Sequence, residues 1–229
     1  MNKPARKIRP KKNLHSYRGK MFSEKNGAMI YWESLLEKDF IKILEFDPTI
    51  TSYESQPIEI TYFYESKRRR YFPDFKATTS TNEIYLYEVK PLDKVNKEEN
   101  LIKYEVARLY CEENNWNFRV VSENKIRQGF LLHNLDFLRN YREIRTKVSN
   151  IKYIETILEE FGPCTISDLK SITMQDLDES TFYMNFYYML YKQLIKTDLI
   201  KQKIDNQSLL WKGGSCLKLC TTFNMEQNS

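Results

Sequence analysis

At 229 residues with 41% hydrophobic content, the chain holds enough apolar side chains for one large domain or two small ones, which excludes disorder throughout. A formal net charge of +5 is too modest to establish a polyanionic partner on its own. Four cysteines, Cys111, Cys164, Cys216 and Cys220, are scattered without a second pair or a nearby histidine, so neither a zinc site nor a disulfide framework is supported.

Charge distribution is more informative than net charge. Lys3, Arg6, Lys7, Arg9, Lys11, Lys12, Arg18 and Lys20 all precede the first acidic residue, Glu24. Residues 1–26 therefore read as a basic arm. Lys7, Arg9, Lys11 and Lys12 are candidate contacts to phosphate backbones through counterion release, with a solubilising tail as the competing reading. The arm lacks the apolar core of a secretory signal, and no apolar run reaches membrane-spanning length, so a cytoplasmic setting with no membrane partner is expected.

From Trp32 onward, Leu35, Leu36, Phe40, Ile43 and Leu44 recur at helical spacing, and Asp47-Pro48 ends that helix. Ile58–Tyr64, Arg70–Phe75 and Ile84–Lys90 read as strands, the last two joined by the turn-forming run Thr78-Thr79-Ser80-Thr81-Asn82 into an antiparallel hairpin. A charged helix is expected from about Lys94 to Asn114, and Phe118–Val121 reads as a short buried strand. This order predicts an α/β fold, a mixed sheet between helices, over residues 27–140.

After about Tyr141 the pattern changes. Ile151, Ile154, Ile157, Leu158 and Phe161 mark a helix closed by Gly162-Pro163, and Thr165-x-x-Asp168 resembles a capping box. A third helix spans Glu179 to Thr197, with Phe182, Phe186, Met189 and Leu190 as core. Leu199–Lys203 and Ser208–Trp211 then flank Asp205-Asn206 as a small ribbon. Three helices and a ribbon predict a winged-helix domain at 141–213, with a tail at 214–229.

The chemistry concentrates around Glu88. A strand over Ile84–Lys90 puts Ile84, Leu86, Glu88 and Lys90 on one face, and Asp74, after Pro73, stands across the turn where both carboxylates can meet. Magnesium, with manganese as a substitute, is held by one or two carboxylates, several waters and a substrate phosphate, so Asp74 and Glu88 are candidate metal ligands. Lys90 is placed to orient the nucleophile or offset charge on the phosphorane-like transition state. Glu37 is a candidate further ligand or water-positioning residue, and Glu33, read as one turn earlier, is an alternative on chemistry alone. The competing reading of Glu-x-Lys is a cross-strand ion pair. Arg68, Arg69 and Arg70 are candidate phosphate contacts, against a solvated rim. His15 and His133, lacking partners, point to no catalysis.

The segments Trp32-Glu33-Ser34-Leu35-Leu36-Glu37, Leu44-Glu45-Phe46-Asp47, Gln56-Pro57, Pro73-Asp74-Phe75 and Glu88-Val89-Lys90-Pro91 occur in an order that resembles the TnsA-type transposon-end endonucleases. The resemblance covers roughly residues 30 to 125. It implies a restriction-endonuclease-like core with a C-terminal winged helix, and Glu37, Asp74, Glu88 and Lys90 as catalytic residues. One member of that family has glutamine at the position of Glu88. The implied role is magnesium-dependent hydrolysis of the 5′-ends of double-stranded transposon DNA in a prokaryotic, nucleoid-associated setting. The implied partners are a DDE-type transposase subunit that handles the 3′-ends and an AAA+ ATPase regulator bound through the C-terminal region. A stand-alone restriction or repair nuclease and a non-catalytic DNA-binding adaptor are the alternatives.

Overall fold

A computed structural model describes Ala5 and residues 17–213. Lys7, Arg9, Lys11, Lys12, His15 and the 214–229 tail lie outside the described residues. The chain divides into two compact units between Arg127 and Gln128, where the sequence places the boundary near residue 140.

The first unit opens on an antiparallel hairpin, β1 (Gly19–Ser23) and β2 (Ala28–Trp32), in which Gly19 pairs with Trp32. This corrects two expectations. The end of the proposed basic arm is folded strand, and Trp32 belongs to β2 rather than to the following helix. Helix α1 (Leu35–Phe46) starts after Ser34, whose side chain accepts a hydrogen bond from the Glu37 amide as an N-cap. Its buried stripe is Leu36, Phe40, Ile41, Ile43 and Leu44.

Next come β3 (Ile50–Ser55), β4 (Ile60–Tyr64), β5 (Lys67–Tyr71), β6 (Phe75–Thr79) and β7 (Ile84–Lys90). The strand expected over Arg70–Phe75 is two strands. Tyr71 closes β5, which among the described residues pairs only with β4, and Phe75 opens β6, which lies between β3 and β7. Pro73 between them has no amide hydrogen for a ladder, so the break falls there. The β6–β7 hairpin is antiparallel as expected, with Asn82 in the left-handed region at φ 64°.

A 3-10 turn at Leu92–Lys94 delays helix α2 to Glu98–Glu113, and β8 (Asn117–Ser122) then pairs parallel to β7. The four-stranded sheet runs β3-β6-β7-β8, mixed in direction, and α3 (Glu123–Ile126) follows it. Phe40 of α1 packs edge-on against Phe75 and Tyr87, with ring centroids 5.6 and 5.2 Å apart. A second buried cluster joins Leu86 of β7 to Ala107 and Cys111 of α2 and to Ile60 and Tyr71 of the β4–β5 ribbon. Strand alternation thus divides β7 between two apolar clusters. Burying one such aromatic contributes about 1.5–3 kcal/mol.

The second unit contains α4 (Leu131–Leu138), α5 (Val148–Phe161), β9 (Cys164–Thr165), α6 (Ile166–Thr173), α7 (Glu179–Tyr191), β10 (Ile195–Lys196) and β11 (Leu209–Lys212). The expected capping box is present, with Thr165 and Asp168 bonded reciprocally. Phe182, Phe186, Met189 and Leu190 are buried, as core spacing requires. Helix α7 stops at Tyr191 rather than Thr197, and Gln193 turns the chain at φ 56°. Leu199–Lys203 is a bent loop segment and not a strand. The Asp198 carboxylate accepts from the Ile200 and Lys201 amides, and the Asn134 side-chain amide donates to the Leu199 and Gln202 carbonyls. β11 instead pairs with both β10 and β9. Among the described residues, no helix is long and apolar enough to cross a membrane.

Candidate active site at the end of strand β7

Glu88 and Lys90 share a face at the carboxyl end of β7, and Asp74 enters from the link between β5 and β6. Two backbone bonds fix that link: the Asp74 amide donates to the Tyr87 carbonyl at 3.0 Å, and the Gln56 amide donates to the Asp74 carbonyl at 2.8 Å. The Asp74 carboxylate then accepts from the Val89 amide at 2.7 Å, which aims it along the end of β7.

Lys90 lies between the two acids. Its ammonium forms a close ion pair with Glu88 Oε1 and lies 3.6 Å from Asp74 Oδ2. Glu88 is only 3% exposed, and its other oxygen accepts a 2.6 Å hydrogen bond from the Tyr71 hydroxyl. Each Glu88 oxygen therefore has a donor, as a buried carboxylate requires. The sequence-predicted trio is brought together.

Glu37 is near enough for the Asp74 charge to act on it. Its carboxylate accepts from the Glu33 amide at 2.8 Å and from the Ser34 hydroxyl at 2.9 Å, so it also closes the N-terminus of α1. Glu33 is not on the helix one turn before Glu37; it precedes the cap. Its carboxylate is engaged by Arg18 at 3.1 Å and by the Gln56 side-chain amide at 3.1 Å. Arg18, expected in a phosphate-binding arm, is thus committed to Glu33.

The electrostatics follow from three crowded acids and one lysine. Burial, then the nearby Asp74 charge, pushes both Glu37 and Glu88 up to about 7. Burial likewise raises Asp74, with Lys90 opposing. Burial acts to lower Lys90, but the Asp74 and Glu88 charges outweigh it and hold the ammonium above the ordinary lysine value. Carboxylates displaced toward neutrality in one cluster are a signature of sites that bind cations or move protons.

Among the described residues, no three His, Cys, Asp or Glu side chains form a ready-made metal cage. Magnesium needs none, since one or two carboxylates with waters and a phosphate satisfy it. Asp74 and Glu88 offer hard oxygen donors in a cluster short of positive charge, and that donor set fits such an ion.

Two contributors were not foreseen. Tyr71 could have been flagged as the aromatic residue that closes the arginine run just before Phe72-Pro73-Asp74. Tyr104 of α2 is 2% exposed, its hydroxyl has no hydrogen-bond partner, and the Lys90, Glu88 and Asp74 charges all act on it. Only its helical spacing was visible. Arg68, Arg69 and Arg70 lie on exposed β5, and Arg70 pairs with Glu59 at 3.5 Å. His133 is exposed on α4, consistent with a surface role.

The fold and the cluster define a class: a mixed-sheet α/β domain of restriction-endonuclease-like type with a carboxylate–lysine site at a strand end. Comparison with known proteins makes this more particular. Residues 47–123 match the family model for the TnsA-like endonuclease N-terminal domain. Asp74, Glu88 and Lys90 fall within the match, whereas Glu33 and Glu37 precede it. The head completion nuclease of Enterobacteria phage T4 is 34% identical over 82 residues, 35% of this chain and 51% of that protein. The chain thus spans about half the length of that curated relative.

Proposed function

We propose that this protein is a magnesium-dependent DNA endonuclease that serves as a subunit of a heteromeric cut-and-paste transposase and hydrolyses the 5′-ends of the transposon. The observation that carries the reading is the convergence of Asp74, Glu88 and Lys90 inside a segment matching a TnsA-like endonuclease domain. A bound divalent ion would supply Lewis-acid stabilisation and a water of lowered pKa. Asp74 and Glu88 would hold it, with manganese as a substitute. Lys90 would place its ammonium against the charge that develops on the phosphoryl oxygens. Glu37, poised near neutrality, is matched to accept the proton of the attacking water, as an efficient general base should be. Arg68, Arg69 and Arg70 would grip phosphates beside the scissile bond. Lys7, Arg9, Lys11 and Lys12 would add a second phosphate-binding segment.

In this reading the partner DDE-type transposase supplies end recognition, and an AAA+ ATPase regulator binds the C-terminal region. In the second unit α4 is followed by α5, β9, α6, α7, β10 and β11, an order of helix, strand, two helices and two strands after α4 that supports a winged-helix assignment. A prokaryotic cytoplasmic, nucleoid-associated site of action follows from the substrate.

The test is cleavage of transposon-end DNA by the purified protein with magnesium and the partner transposase. Lys90→Ala strands a buried carboxylate, so Lys90→Arg is tested with it as the charge-retaining variant. Both are expected to lose about 100-fold or more in cleavage rate while remaining folded. Wild-type activity in both would overturn the assignment. The phage nuclease relative favours a second reading, a nuclease acting alone. Efficient cutting without any partner would select it, and magnesium-indifferent binding with no cleavage under any partner combination would select a DNA-binding adaptor.

A further inference from the structure

The β4–β5 ribbon presents two different faces, because directly opposed residues in an antiparallel pair share a side. One face begins in the core with Ile60 opposite Tyr71 and continues through Tyr62–Arg69 and Tyr64–Lys67. The other carries Thr61–Arg70 and Phe63–Arg68, all exposed. Phe63 is 76% exposed, more than any other large hydrophobic side chain among the described residues, and both cations on its face are arginines. Single exposed apolar residues are ordinary. This one stands on a face that buries nothing, opposite one guanidinium and diagonal to another.

The ribbon is also continuous with the site. β5 runs from the cationic run Lys67–Arg70 directly into Tyr71, whose hydroxyl holds Glu88. Arg68 lies three residues from Tyr71, on the order of 10 Å along a strand, or about three base pairs of duplex rise. Two-stranded ribbons and sheets are used by proteins to engage either groove of duplex DNA. Four consecutive cations match a phosphate-lined surface, and an apolar side chain between them matches a base step opened by a wedge.

We propose that the Thr61, Phe63, Arg68 and Arg70 face engages duplex DNA, with the two arginines on phosphates and the Phe63 ring wedged against the base stack a few base pairs from the scissile bond. The position relative to the cut rests on the nuclease reading, whereas the contact itself does not require cleavage.

The full-length protein is titrated, in EDTA, into a 30-base-pair duplex of mixed sequence carrying a single 2-aminopurine, whose fluorescence rises on unstacking. Wild type is expected to raise the signal. Phe63→Ala is expected to abolish the rise and weaken binding about 5- to 150-fold, while the salt dependence of binding is retained. Phe63→Trp should restore both. Arg68→Ala with Arg70→Ala should reduce the salt slope by about two. Phe161→Ala, which removes another exposed phenylalanine, should behave as wild type. No rise with wild type, or a Phe63→Ala variant that binds and unstacks like wild type, overturns the proposal. Loss of cleavage in magnesium with the EDTA results intact would count against the nuclease reading alone.

Discussion

Tyr71→Phe isolates one hydrogen bond without opening a cavity, because the ring remains among Ile60, Leu86, Ala107 and Cys111. The lost bond is the 2.6 Å contact from the Tyr71 hydroxyl to Glu88 Oε2, between residues 4% and 3% exposed. A hydrogen bond to a buried charged group contributes about 1.5–3 kcal/mol, and leaving one carboxylate oxygen unmatched costs a similar amount. The loss depends on the charge on Glu88. Its folded pKa of about 7 lies above the unfolded value of 4.5, so the native state holds the extra proton between those pH values. Stability associated with Glu88 is therefore fully present below 4.5 and declines as pH rises through about 7. Without the tyrosine donor the ionised form is less supported, so the decline extends to higher pH. Tyr71→Phe is expected to cost about 2 kcal/mol at pH 8 and less than 1 kcal/mol at pH 5. Urea unfolding followed by tryptophan fluorescence reads this, since Trp32 and Trp116 report the first unit and Trp211 the second. An equal loss at both pH values, or a larger loss at pH 5, would refute the reasoning.

Replacing Tyr104 with phenylalanine removes a buried hydroxyl that has no hydrogen-bond partner, so stability should be unchanged or rise by about 1 kcal/mol in thermal unfolding; a loss above about 2 kcal/mol would contradict this. Glu65 and Ser66 turn the β4–β5 ribbon at φ 50° and 59°, a geometry that favours Asn-Gly. The double replacement Glu65→Asn and Ser66→Gly should stabilise the first unit by about 1 kcal/mol in urea unfolding. Ser34→Ala should destabilise α1 by about 1 kcal/mol yet leave the cleavage rate near wild type, whereas Glu37→Gln should slow cleavage about 100-fold; equal effects on the rate would make Glu37 a cap alone.

Local physics makes part of this site readable from the sequence alone. Period-two alternation placed Glu88 and Lys90 together, and the polar run before Ile84 located the hairpin that brings Asp74 beside them. The same reasoning misread Trp32, whose spacing to Leu35 and Leu36 suits a helix although Ser34 caps after it and Gly19 pairs with it. The arm reading hid β1, because a run of cations says nothing about the hairpin partner supplied downstream. Gln56 to Glu33 and Tyr71 to Glu88 join residues distant in sequence, so no periodicity signals them. Glu45 shows the same limit: it receives bonds from Ser23, the Glu24 and Lys25 amides and the Tyr53 hydroxyl, a structural clamp invisible until those segments meet.

The most direct measurement is a crystal soaked in manganese and recorded at an anomalous wavelength. One strong peak is predicted within about 2.0–2.3 Å of carboxylate oxygens from both Asp74 and Glu88, with the Lys90 ammonium displaced from between them. A well-ordered site without a peak there at millimolar manganese, or a peak held by other side chains, would contradict the account.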